Sequence, residues 1–315
     1  MDTVVEPPAG EARGVKRIAV LGGGGLMGHG IALACLTGSD CEVTIISSRA
    51  ETVERGLDLV VNGPFGLERA VARGKLAADT AAAARDRLRG TTDVIEGLDG
   101  ADLVFESVPE EPDLKRRVLA DAESHSDPSA VLATNTSAIM IAELAGALDD
   151  PARLVGAHWF YPANVMPLVE VARSRLTAPA TLATLTAYLS SIGKRPVVVA
   201  DSPGFFMTRF VDLFLSEAIR LVESGVAGPA EIDEMVKTGL GWPMGVFELF
   251  DDTACFGSFC RSLGYLAETC GERYAVPPLA RAALEAGFLG DPARKPGSKG
   301  GWYDFLGVSR MRPEG

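Results

Sequence analysis

The chain contains three histidines, His29, His125 and His158, and imidazole is the side chain best suited to moving a proton near neutral pH. His125 closes the charged run LKRRVLADAESH and reads as solvated. His29 follows directly on the run GGGGLMG, where a packing or phosphate-side position is expected. His158 ends the apolar run LVGAHWF, and the next apolar run, PLVEV, carries Glu170 among aliphatic residues. A carboxylate so placed needs a partner. Paired with His158, it orients the imidazole and favours its protonated form. The plainer alternative is a carboxylate on the solvent side of an alternating strand.

A second constellation lies near the N-terminus, in IAVLGGGGLMGHG. Gly23, Gly25 and Gly28 fit G-x-G-x-x-G between a strand and a helix, with Leu26 and Met27 at its variable positions. The first glycine permits the tight turn, the second lets backbone approach a pyrophosphate, and the third allows close helix–strand packing. Gly22 makes four consecutive glycines, so the register can slip by one. The strand–turn–helix context favours a nucleotide site over a merely structural turn.

Strands and helices alternate from residue 16 onward, which implies a parallel sheet covered on both faces. Strands are expected at KRIAVL, CEVTIIS, TTDVI, ADLVFES, AVLATN, RLVGAHWF, LVEVA and PVVVADS, with two helices between 50 and 88 broken near Arg73-Gly74-Lys75. Ser-Pro-Gly then punctuates the chain, and helical periodicity takes over. The expected fold is therefore α/β: a Rossmann-type dinucleotide-binding domain over 15–200, then an all-helical C-terminal domain over 201–315. Residues 1–14 read as a disordered lead-in that is no signal peptide.

The composition is globular, with 47% hydrophobic residues, and the net charge of −12 argues against nucleic acid or an anionic membrane as partner. Five cysteines without CxxC spacing read as thiols in a reducing cytosol, so a cytoplasmic location and no metal site are expected.

From about residue 16 to 304 the sequence resembles the L-3-hydroxyacyl-CoA dehydrogenase family. ADLVFESVPEEPDLKRRVL, ATNTSAI, GAHWFYPANVMPLVEV, DSPGFFMTRF, GLGWPMGVFEL and GSKGGWYDF follow in that family's order and spacing. The resemblance implies hydride transfer between a nicotinamide and a 3-oxoacyl or (S)-3-hydroxyacyl group, in a homodimer built through the C-terminal domain. It places the catalytic His-Glu dyad on His158 and Glu170. It also places a substrate-binding hydroxyl on Ser137, which would otherwise read as a helix N-cap. Asn135, Glu110 and Lys115 fall on positions lining the nicotinamide side. Lys115 reads equally well as a solvated charge paired to Asp113 or Glu111, and Arg73 and Lys75 as CoA-phosphate contacts or a solvated turn.

Three departures alter that expectation. Thr208 and Tyr161 stand where the family has Asn, and Pro167 where it has Lys. A shorter hydroxyl and a bulky aromatic at the substrate pocket suggest a larger substrate, on CoA or an acyl carrier protein. The family's ribose-binding Asp falls on Ser47. Without that carboxylate, Ser47, Ser48 and Arg49 suit the 2′-phosphate of NADP(H). The alternative is NAD(H) with Arg49 stacked on adenine. NADP(H) points to biosynthetic reduction, as in family members that reduce polyketide intermediates. The rival readings are an NAD-dependent 3-hydroxybutyryl-CoA or acyl-carrier-protein dehydrogenase, and a catalytically dead binding protein.

Overall fold

The computed structural model describes residues 11–293, 295 and 297–311. Of the expected lead-in, residues 1–10 lie outside the described residues. Residues 11–14 lack regular structure, and the Arg13 N–H donates to Thr184 Oγ1 at 3.1 Å.

The chain divides into two compact units, 1–205 and 206–315. The first contains β1 (Arg17–Leu21), α1 (Gly28–Gly38), β2 (Glu42–Ile46), α2 (Ala50–Asn62), α3 (Leu67–Ala72), α4 (Ala78–Asp86), β3 (Leu88–Thr91), α5 (Val94–Leu98), β4 (Leu103–Glu106) and α6 (Pro112–His125). It continues with β5 (Val131–Thr134), α7 (Ile141–Ala145), β6 (Leu154–Gly156), β7 (His158–Trp159), β8 (Leu168–Arg173), α8 (Pro179–Ser191) and β9 (Arg195–Ala200).

Six strands form a parallel sheet in the order β3-β2-β1-β4-β5-β6. This is the Rossmann order, with its switch point between β1 and β4. Along β1, Ile18 and Val20 enter one apolar core while Ala19 and Leu21 enter another. Alternating side chains thus feed both faces, as a doubly covered sheet requires.

Several local expectations are corrected. TTDVI is not a strand: β3 ends at Thr91, and Asp93 then accepts the Ile95 and Glu96 N–H groups at 2.9 and 3.2 Å and caps α5. The 50–88 stretch holds three helices, because Gly63-Pro64-Phe65-Gly66 adds a break before the one at Gly74, whose φ is +66°. RLVGAHWF splits at Ala157. Its first part ends the parallel sheet as β6, and its second part opens a separate sheet, β7-β8-β9. There β7 runs antiparallel to β8, and β8 runs parallel to β9.

The second unit contains α9 (Met207–Glu223), α10 (Pro229–Leu240), α11 (Val246–Thr253), α12 (Phe256–Cys270), α13 (Pro278–Ala286) and α14 (Trp302–Leu306). Its core gathers Phe247, Phe250, Phe256 and Trp302 in edge-on and tilted contacts. Two buried aspartates tie the helices together. Asp233 accepts the Phe247 and Glu248 N–H groups and the Tyr303 hydroxyl, and Asp251 accepts the Trp302 and Tyr303 N–H groups. Among the described residues, no helix is long and apolar enough to cross a membrane, and no cluster of three His, Cys, Asp or Glu could hold a metal.

Candidate active site

The β1–α1 turn needs glycine at Gly22 and Gly24 as well as at the fingerprint positions Gly23 and Gly28; a Cβ on Gly23 would meet Ile45 Cγ2 at 2.5 Å. Gly22 adopts φ +78°, and a Cβ there would meet the Ser107 carbonyl oxygen at 2.5 Å. A Cβ on Gly24 would collide with the Thr52 carbonyl oxygen, and one on Gly28 with that of Gly22. Gly25 has more room, its nearest neighbour being the Gly22 oxygen at 3.2 Å. Of the four consecutive glycines, Gly22, Gly23 and Gly24 therefore lack room for a side chain, because β1 ends at Leu21 and the turn begins at Gly22. Leu26 is exposed and Met27 half-buried, immediately before α1. The His29 ring stays in the turn, Nδ1 lying 2.7 Å from the Gly25 carbonyl, and burial lowers its pKa.

Beside this turn lies a cleft of about 450 Å³, lined by Gly22, Gly25, Ser47, Ser48, Arg49 and Ser107 among others. Backbone without side chains on one wall and hydroxyl and guanidinium groups on another suit a dinucleotide. Ser47, at the end of β2, is buried, and its Oγ accepts the Gly24 N–H at 3.3 Å. Ser48 and Arg49 are exposed. Arg55 lines the same cleft, donating from Nε and Nη2 to the Gly24 carbonyl at 3.2 and 2.9 Å. Sequence reasoning missed this residue, although Arg49, Thr52 and Arg55 share one helical face by their spacing. The only carboxylate among the cleft's lining residues is Asp121.

His158 and Glu170 are paired across β7 and β8, with Nδ1 to Oε2 at 3.0 Å. Both are buried, and the Phe160 ring packs 4.5 Å from the imidazole. His158 thus opens a strand of the small sheet instead of ending one of the parallel sheet. Asn135, just past β5, ties the two sheets together. Its Oδ1 accepts the Trp159 N–H at 2.9 Å, and its Nδ2 donates to Ser107 Oγ at 3.2 Å.

Ser137 sits two residues further on and is not a helix cap. The first amides of α7, Ile141 and Ala142, donate instead to the Asp201 carboxylate, each at 2.8 Å. Glu110 reaches the Ser137 turn directly: its Oε1 accepts from Thr136 Oγ1 at 2.6 Å, Ser137 N at 2.8 Å and Ala138 N at 3.0 Å.

Lys115 is not a solvated charge. It is fully buried, and its Nζ lies 2.8 Å from Glu106 Oε1 and 3.3 Å from Glu110 Oε2. Asp113, one of its expected partners, pairs with Arg116 instead. Burial alone would lower the lysine's pKa, but the two carboxylates outweigh it and the pKa is raised. Burial would likewise raise that of Glu110, yet Lys115 and the three donors hold it below the usual carboxylate range.

Tyr161 precedes a cis peptide bond to Pro162, and its ring meets Phe65 edge-on at 6.1 Å. The loop it begins is held from beneath by Lys194, whose buried Nζ donates to the Ala163 and Met166 carbonyls at 2.7 and 2.9 Å. Pro167 is exposed in that loop. Thr208 belongs to the second unit, buried in the first turn of α9. Arg73 and Lys75 are exposed beside Gly74.

The chain matches the family described as 3-hydroxyacyl-CoA dehydrogenase, NAD binding domain, over residues 17–202, and the corresponding C-terminal domain over 204–300. It is 37% identical over 243 residues to a probable 3-hydroxyacyl-CoA dehydrogenase of Caenorhabditis elegans, covering 75% of this chain and 77% of that protein. It is 35% identical over 273 residues to the 3-hydroxyadipyl-CoA dehydrogenase of Escherichia coli, covering 87% of this chain and 56% of the relative. Among solved structures, FadB2 of M. tuberculosis superposes with a TM-score of 0.82 at 33% identity, over 88% of this chain and 96% of that one. The (S)-3-hydroxybutyryl-CoA dehydrogenase PaaH1 of Ralstonia eutropha gives 0.80 at 30%, over 89% and 97%.

Proposed function

The chain belongs to the 3-hydroxyacyl-CoA dehydrogenase family, and from that premise we propose that it interconverts a 3-oxoacyl-CoA and an (S)-3-hydroxyacyl-CoA. The observation that carries this reading is the buried His158–Glu170 pair. With Nδ1 engaged by the carboxylate, Nε2 is the nitrogen left to exchange a proton with the substrate oxygen. Glu170 fixes the ring and stabilises its charged form, so His158 gives up the proton in reduction and takes it in oxidation. The Ser137 hydroxyl donates to the same oxygen. A bound nicotinamide dinucleotide supplies or accepts the hydride.

CoA is favoured as carrier over the polyketide-derived thioester considered above, because the matched relatives are named for CoA substrates. For the dinucleotide, the matched family description favours NAD(H). A second reading, NADP(H), is favoured by Ser47 at the end of β2 together with Arg49 and Arg55. A homodimer remains part of the proposal. At the start of α9, the N-cap Phe206 and Phe210 are both 58% exposed and stack at 5.6 Å, an apolar face suited to burial against a second copy.

The test is initial-rate reduction of acetoacetyl-CoA with NADH and with NADPH in parallel. Turnover with either supports the dehydrogenase reading, and the ratio decides the cofactor. Absence of turnover with both, in a protein that binds dinucleotide, refutes it.

A further inference from the structure

We infer that Glu110 is a positioning residue for Ser137, acting through the turn 136–138. The inference rests on the dehydrogenase reading in which the Ser137 hydroxyl meets the substrate oxygen. The turn lies outside regular structure, between β5 and α7, so neither ladder nor helix fixes it. One carboxylate oxygen of Glu110 gathers three of its donors, including the N–H of Ser137 itself. From the other side, the Gly204 N–H donates to the Ala138 carbonyl at 2.7 Å. Thr136 is fully buried, and its hydroxyl accepts the Ile139 N–H at 3.1 Å while donating to Glu110.

Glu110 is itself held. Its second oxygen meets Lys115 Nζ at 3.3 Å, and that ammonium is anchored on Glu106 at the end of β4. Glu106 also accepts the Thr134 hydroxyl at 2.5 Å, within β5. The chain of contacts runs from the parallel sheet through Lys115 to Glu110 and on to the serine turn. An ionised carboxylate is acceptor-only, which suits an oxygen that must take three donors at once. An amide in its place keeps an acceptor but loses the attraction of Lys115.

A double-mutant cycle on Glu110 and Ser137 tests the inference. Ser137→Ala should lower kcat about 10²-fold, as loss of one donor to a reacting oxygen does. Glu110→Ala should lower kcat by about 10- to 100-fold, through a displaced hydroxyl. The double variant should fall within about threefold of Ser137→Ala, because a positioning residue has nothing left to position. Dinucleotide affinity, read by fluorescence titration on each variant, separates positioning from cofactor contact, since a displaced Ser137 hydroxyl leaves a kcat loss that persists at saturating dinucleotide. Amide exchange at Ser137 and Ala138 should speed up in Glu110→Ala.

Glu110→Gln should recover part of the rate, and it takes the place of Glu110→Ala in the cycle should that variant fail to fold. Multiplying losses in the double variant, or a loss carried by dinucleotide affinity alone, would overturn the inference. Should wild-type protein turn over no 3-hydroxyacyl thioester, the functional reading falls, and amide exchange still decides whether Glu110 holds the turn.

Discussion

His158 and Glu170 are register partners across the β7–β8 pairing, so an imidazole and a carboxylate twelve residues apart in sequence meet at 3.0 Å. The pairing fixes both backbones, and burial of both side chains excludes water from the bond. Glu170→Gln keeps a hydrogen-bond acceptor beside Nδ1 but cannot stabilise the imidazolium. It should lower kcat by about 10²- to 10⁴-fold while dinucleotide binding persists. Saturation kinetics alongside a dinucleotide titration check this; an unchanged kcat would remove the pair from the mechanism.

Ser47 is the residue to change in asking about the cofactor. Its Oγ already accepts the Gly24 N–H, a bond that an aspartate oxygen there can also accept. Ser47→Asp would place a negative charge where the ribose hydroxyls are expected, favouring NAD(H) and repelling a 2′-phosphate. The ratio of kcat/KM for NADPH to that for NADH should fall at least about tenfold, equivalent to about 1.4 kcal/mol. An unmoved ratio would show that no 2′-phosphate sits beside this residue.

What was legible in the sequence followed from charge placed against apolar surroundings. Glu170 among aliphatics predicted a partner, and the structure supplies His158. The same signal is present at Glu106, which ends the wholly buried run LVFE, but it does not name Lys115 as the partner. A lysine on the helix PDLKRR shares its charge with neighbours that do face water, so its burial shows only once β4 is placed beside α6. The split of RLVGAHWF was equally hidden, because an apolar run does not say which sheet each half joins. Arg55 escaped because its partner is a backbone carbonyl, which leaves no mark in side-chain spacing.

The four-glycine turn yields a prediction that separates fingerprint from geometry. Gly24→Ala and Gly28→Ala each drive a methyl into a backbone carbonyl oxygen that cannot rotate away. Each should cost about 1–3 kcal/mol and lower the melting temperature. Gly25→Ala meets only the Gly22 oxygen, at 3.2 Å, a milder clash, and should melt between wild type and the other two variants. Thermal melts of the dinucleotide-free protein decide the order, and a Gly25→Ala melting below Gly28→Ala would contradict the turn described above.

Asp212 gives the second unit a pH dependence of its own. It is buried on α9, its carboxylate accepts the Ser262 hydroxyl at 2.7 Å, and desolvation pushes its pKa up to about 7. Its unfolded-state value is near 3.9, so between about pH 4 and 7 the folded form holds a proton that the unfolded chain has released. Stability from this group is therefore complete below about pH 4 and declines as pH rises towards 7, by a few kcal/mol at most. Asp212→Asn supplies a neutral isostere that still accepts the Ser262 hydroxyl. It should flatten the fall in melting temperature between pH 5 and 8 and leave the variant more stable than wild type at pH 8. Denaturation curves of both proteins across that range check the sign, since a variant less stable than wild type at pH 8 would mean that the fold favours the charged carboxylate.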